Sequence, residues 1–169
     1  AVLRSIARVF YEHLGFYGMD YKLARFEKLI DDRGKTNEFR SAYEDITGTP
    51  WVDDRDSYDM FGEEVAEAAN EACGMSVKSV TDWADSSDAA LVDFGKLVDD
   101  INEYAQKREA ECGKRFRLVF MIDEMGQYLN GDTSRMLNLQ TFMEKFCDNC
   151  GGRVWMVVTS QEAIDELMD

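Results

Sequence analysis

The sequence has one proline, Pro50, and one histidine, His13. With so little proline and no low-complexity stretch, nothing marks a linker or an internal repeat. A Ser or Cys triad would have to use His13, which reads as a surface or helix-end residue. Positive charge is also scarce, with 19 Lys and Arg against 34 Asp and Glu and a net charge of -15. Binding nucleic acid through a broad face needs clustered Lys and Arg, so none is expected here beyond a local patch. No apolar run reaches the roughly 20 residues that cross a bilayer, and "AVLRSIARVFYEHLGF" ends without a small-residue cleavage site, which predicts a cytoplasmic protein with no membrane partner. Cys73, Cys112, Cys147 and Cys150 are too few and too irregularly spaced for a disulfide framework. "CDNC" (147–150) has redox-like spacing, but it closes a helix where a redox motif would open one, and zinc would need two further ligands.

What is present is mostly helical pattern. Leu3, Ile6, Val9, Phe10 and Leu14 recur on a helical period, as do Leu23, Phe26, Leu29 and Ile30, with Gly34 closing the second helix. "NEFRSAYEDITG" and "DMFGEEVAEAANEACG" predict two more helices closed by Gly48 and Gly74, with Trp51 in an irregular segment between them. "SVKSVTDWADS" suggests a shorter helix, and "ALVDFGKLVDDINEYAQKREAEC" a long one, with Leu91, Phe94, Leu97 or Val98, Ile101 and Tyr104 inward and Gly113 as its stop. The acidic clusters at 53–56 and 99–100 read as solvated faces.

After Gly113 the period changes. "LVFMI" (118–122) and "VWMVV" (154–158) are short continuous apolar runs, the pattern of strands buried on both faces of a parallel sheet. Between them Asp132 or Thr133 can cap a helix with Met136, Leu139, Met143 and Phe146 on one face. A strand, a helix and a strand predict a parallel βαβ unit with a right-handed crossover. The expected fold is therefore α/β: a mainly helical portion over 1–113 and a short parallel sheet over 114–169.

The first strand runs straight into Asp123 and Glu124. Ligands of open parallel sheets bind beyond the carboxyl ends of the strands, and an Asp there is placed to hold Mg²⁺, usually through water. A Glu directly after it can polarise an attacking water. This is the Walker B pattern, four apolar residues and then Asp-Glu, although an acid at a strand end also serves simply to cap the next helix. Thr159 and Ser160 end the second strand, where a polar sensor of the γ-phosphate is expected or where they cap a helix beginning near Gln161. Gly34-Lys35-Thr36 has the ending of a Walker A loop, but Leu29 stands where the loop needs its first Gly and a helix precedes it, so it is not a P-loop.

"VFMIDEMGQYL", "MLNLQTFMEKF" and "GRVWMVVTSQEAID" together resemble the large P-loop protein of bacteriophage-exclusion (BREX) systems, the BrxC and PglY-type family, most strongly over residues 116–167. The resemblance implies that the two portions together are one incomplete domain of a P-loop, AAA+-like core, with ATP and Mg²⁺ as cofactors, Asp123 as the metal-side acid, Glu124 as the catalytic, water-activating acid, and Thr159 or Ser160 as the sensor. Gln127 could reach the nucleotide side, with hydrogen bonding to the following loop as its simpler role; Asn138 and Gln140 are expected to face solvent or a partner. It implies antiphage defence in a complex with other proteins of the system. The chain opens and closes in helical pattern without an initiator Met, so it is expected to be a fragment whose Walker A lies upstream and which is inactive alone.

Two rivals remain. A non-enzymatic acidic interaction module would use Asp123 and Glu124 only as caps, and a metal-dependent nuclease would want further acids and a Lys at neighbouring strand ends. A two-stranded unit also leaves a sheet edge open, which predicts self-association or a covering helix.

Overall fold

The computed structural model describes residues 2–81, 94–129 and 132–160. The chain forms two compact units, 1–93 and 94–169, so the long helix of the sequence belongs with the strands.

The first unit is helical. α1 (Val2–His13), α2 (Tyr21–Asp32), α3 (Thr36–Thr47) and α5 (Gly62–Cys73) follow the apolar periodicity. Asp20 caps α2 by accepting from the amides of Lys22 and Leu23. α3 and α5 end on Gly48 and Gly74 at φ 77° and 62°, left-handed positions where a side chain would be strained. The segment around Trp51 is not irregular: it forms α4 (Trp51–Asp54) and a 3₁₀ turn (Arg55–Ser57), because Pro50 presets the backbone ahead of a first turn. α5 starts at Gly62, later than the predicted Asp59, since residues 58–61 form turns. Of the helix expected over 76–86, residues 76–79 are not helical and the part from Asp82 lies outside the described residues.

Packing in this unit centres on Trp51, which is 2% exposed. Its ring stands edge-on to Phe39 at 5.2 Å and to Tyr43 at 5.0 Å, geometry that adds about 0.5–1.5 kcal/mol per pair to the area buried. The indole donates to Glu27 Oε1 at 2.8 Å, and Glu27 Oε2 accepts from the Tyr17 amide at 2.6 Å. Arg55 lies 3.6 Å from Glu27 and stacks over Tyr17. Asp54 accepts from the Tyr43 hydroxyl at 3.2 Å. The 53–56 cluster is thus partly structural, correcting the solvated-face reading. So is Asp100, 1% exposed and 3.2 Å from Lys96.

The second unit contains α6 (Phe94–Cys112), β1 (Leu118–Ile122), the short α7 (Met125–Leu129), α8 (Thr133–Cys150) and β2 (Val154–Val158). β1 and β2 pair in parallel from Leu118–Val154 to Ile122–Val158, and both strands have the predicted bounds. Residues 90–93 of the predicted long helix lie outside the described residues. α8 is capped by Asp132, which accepts from the amides of Ser134 and Arg135. Its inner face is Phe142, Phe146 and Cys150, with Met136 and Leu139 half-buried. Met143 is 38% exposed, against expectation, because the Phe142–Phe146 pair, in edge contact at 4.4 Å, turns the contact stripe one residue back.

The strands are not buried on both faces. Leu118, Phe120 and Ile122 are half-buried, whereas Val119, Met121, Trp155 and Val157 form an exposed apolar face, Met121 being 78% exposed. The physical reason is a sheet of two strands, with α6 and α8 both packed on it among the described residues and nothing described on the side where these residues emerge. At the amino ends of the strands, Glu109 of α6 accepts from the Phe116 amide at 3.1 Å and sits 3.5 Å from Arg153 and 3.9 Å from Arg117. The amide bond, and then the two guanidiniums, hold its carboxyl below the usual range.

Candidate functional site

β1 delivers Asp123 and Glu124 to the carboxyl end of the sheet, where β2 delivers Thr159 and Ser160. Parallel pairing in register puts Asp123 opposite Thr159, and the Thr159 hydroxyl donates to Asp123 Oδ1. The Glu124 amide reaches both Asp123 Oδ1 at 3.0 Å and Thr159 Oγ1 at 3.2 Å. The backbone closes the same knot: Thr159 N donates to Ile122 O at 3.0 Å and Met125 N to Thr159 O at 2.8 Å.

Glu124 has φ 55° and is the sole described non-glycine residue at positive φ. Such a backbone costs on the order of 1 kcal/mol for a residue with a side chain. The turn is held by the bonds just described and by Met125, buried at 1% at the start of α7. As a result the carboxylates of Asp123 and Glu124 are both exposed beyond the strand end. No sequence signal announces this kink, because the position carries neither Gly nor Asn.

The two hydroxyls at the end of β2 differ in their partners. Thr159 is tied to Asp123, whereas the Ser160 hydroxyl is buried with no hydrogen-bond partner among the described residues. A helix capped by these residues would begin at Gln161, outside the described residues. Gln127 falls within α7. Asn138 and Gln140 are exposed on α8, and Gln140 donates to Glu144 at 2.9 Å.

The hard oxygen donors at this edge, two carboxylates and a hydroxyl, suit Mg²⁺, which takes one or two protein carboxylates and fills its shell with water and phosphate oxygens. Among the described residues no group of three or more His, Cys, Asp or Glu side chains could hold a metal alone.

The other motifs carry no site. Gly34-Lys35-Thr36 links α2 to α3, and Lys35 is 2.9 Å from Glu38, a hydrogen bond that raises the Lys35 pKa. Cys150 is buried and its thiol is pushed up to about 11, by burial first and then by Asp99, while Cys147 is exposed. A reactive redox pair needs the opposite, a lowered pKa. His13 is an exposed residue ending α1. No described helix is long and apolar enough to cross a membrane.

No protein-family model matches the chain, and no solved structure matches it.

Proposed function

We propose that this chain carries the Walker B and sensor strands of an AAA+-like P-loop ATPase, and that the full protein works in a bacteriophage-exclusion complex of the BrxC and PglY type. The reading is supported above all by one observation: an Asp at the end of an apolar parallel strand is hydrogen-bonded to a Thr at the end of the neighbouring strand, with a Glu exposed directly after it. The defence role rests on sequence resemblance alone.

In this reading Asp123 stands on the metal side. Its Oδ1 is held by Thr159 and by the Glu124 amide, which ties the exposed carboxylate to the strand end. Bound Mg²⁺ would neutralise charge developing on the phosphates of ATP. Glu124 orients and polarises the attacking water, its carboxylate being exposed directly after Asp123. Thr159 is a positioning residue for Asp123. Nucleotide binding also needs a phosphate-cradling loop, which the described residues do not supply.

The test is ATP turnover by the full-length protein, wild type against Glu124→Gln, with nucleotide binding followed in both. Loss of turnover by about 10²–10⁴-fold with ATP still bound is expected for removal of a general base. Unchanged turnover, or none in either protein, would replace the ATPase with the acidic interaction module.

A further inference from the structure

Strand alternation sorts the open face of the sheet into a repeating pattern. Along β1 and its flanks the positions that share this face are Arg117, Val119, Met121 and Asp123; along β2 they are Arg153, Trp155, Val157 and Thr159. Each column therefore runs from a cation through two apolar side chains to an oxygen acceptor.

The two ends of the face carry opposite charge. At the amino end Arg117 and Arg153 share the single carboxylate of Glu109, and both remain partly exposed. Lys114 and Arg115, exposed in the turn that leads into β1, add to the same end. At the carboxyl end Asp123 and Glu124 are both exposed.

Between those ends Val119, Met121, Trp155 and Val157 form one continuous apolar strip, and exposed strips of this kind mark contact surfaces. The Trp155 indole donates to Gly152 O at 2.9 Å, so the ring is already held in place while 58% exposed. A side chain fixed in advance costs little to order on contact. Parallel sheets are as a rule covered on both faces, and among the described residues only one face is.

We propose that the open face pairs with the same face of a second copy of this chain, about a two-fold axis that runs across the strands. A two-fold contact demands a self-complementary surface, in which residue i meets j and j meets i. Reversing the strand direction supplies it. The partner's Arg117 comes over Asp123, the partner's Met121 over Val119 and the partner's Trp155 over Val157, large against small, and each contact occurs twice. Sheets stacked this way lie about 10 Å apart with their side chains interdigitated. A nucleic acid fits the face less well, because its phosphates need cations along their whole length and the cations here stand at one end. Two strands of five residues offer less than the roughly 800 Å² per partner of a standard interface, so the pair is weak, with a dissociation constant of about 10–100 µM. The pairing uses the exposure of Asp123 and does not rest on the ATPase reading.

The experiment is sedimentation velocity of the 169-residue chain from about 1 to about 500 µM. A monomer–dimer equilibrium with no larger species is expected, because a two-fold contact closes on itself. Met121→Glu places a charge in the apolar strip and should weaken the dimer at least about tenfold. Arg117→Glu and Asp123→Lys each set like charges against one another twice and should weaken it by at least about tenfold as well. An equimolar mixture of those two variants should dimerise within about threefold of the wild type, since one junction is then native and the other is restored with its charges exchanged. Should Asp123→Lys misfold, Asp123→Asn, which keeps an Oδ1 acceptor for Thr159, takes its place, with a weaker wild-type dimer expected. The proposal is overturned if the wild type stays monomeric or grows beyond a dimer, or if the mixture associates no better than its components. It is overturned too if Asp123→Asn dimerises as the wild type does, or if Met121→Glu does, which would assign the contact to an open strand edge.

Discussion

The two units solve the burial problem differently. In the first, one aromatic cluster around Trp51 is enclosed by helices, and the buried charge of Glu27 is answered by an indole, an amide and a guanidinium. In the second, the described helices pack on the sheet while Val119, Met121, Trp155 and Val157 remain exposed, and the strand ends carry a non-glycine residue in a left-handed turn. The first unit spends its polar groups on its own stability; the second holds carboxylates outward at a local cost. Strain and exposure at a strand end are what a site for chemistry requires, and an enclosed core is what a scaffold requires.

The sharpest way to test this contrast is Trp51→Ala. It removes a buried ring, its edge contacts with Phe39 and Tyr43, and the donor to Glu27. A loss of about 3–5 kcal/mol is expected, read by urea unfolding. A loss below about 1 kcal/mol would mean that the first unit is not held by this cluster.

Next in size is a pH effect. Burial, and then the Asp54 carboxylate, push the Tyr43 hydroxyl up to about 12. An unfolded tyrosine titrates near 10, so the full stabilisation is present below about pH 10 and is lost as pH rises towards about 12, by about 2–3 kcal/mol. Tyr43→Phe should lose about 1 kcal/mol at neutral pH with the hydrogen bond, yet decline less steeply in alkali. Urea midpoints from about pH 9 to about pH 12 separate the two; parallel slopes in wild type and variant would remove Tyr43 as the cause.

The smallest effect has the opposite sign. Glu124→Gly relieves the positive φ and should raise stability, or at least not lower it, by up to about 1 kcal/mol, while abolishing turnover in the full-length ATPase proposed above. A destabilisation larger than about 1 kcal/mol would show that the Glu124 side chain supports the fold.

Much of this was legible in the sequence. The strand bounds were, because short apolar runs bracketed by Arg117 and Asp123, or by Arg153 and Thr159, leave little freedom in placing them. The parallel pairing followed from the intervening helix. One-sided burial was not, since a continuous apolar run cannot say which neighbours cover it. The turn of helix at Trp51 was missed because four residues are too few to show a period. The hydrogen bond between Thr159 and Asp123 needed the register, which a single sequence does not state.

The strand pair is fastened at both ends: at the start by Glu109, shared between Phe116, Arg117 and Arg153, and at the finish by the Asp123–Thr159 bond. Two rulers pinned at both ends cannot slide. A slip of one residue, about 3.3 Å, would carry the threonine out of reach of the aspartate and turn the inward side chains outward. The bond between Thr159 and Asp123 is therefore a gauge of strand alignment, and a force that shears β2 along β1 would be felt at the acid.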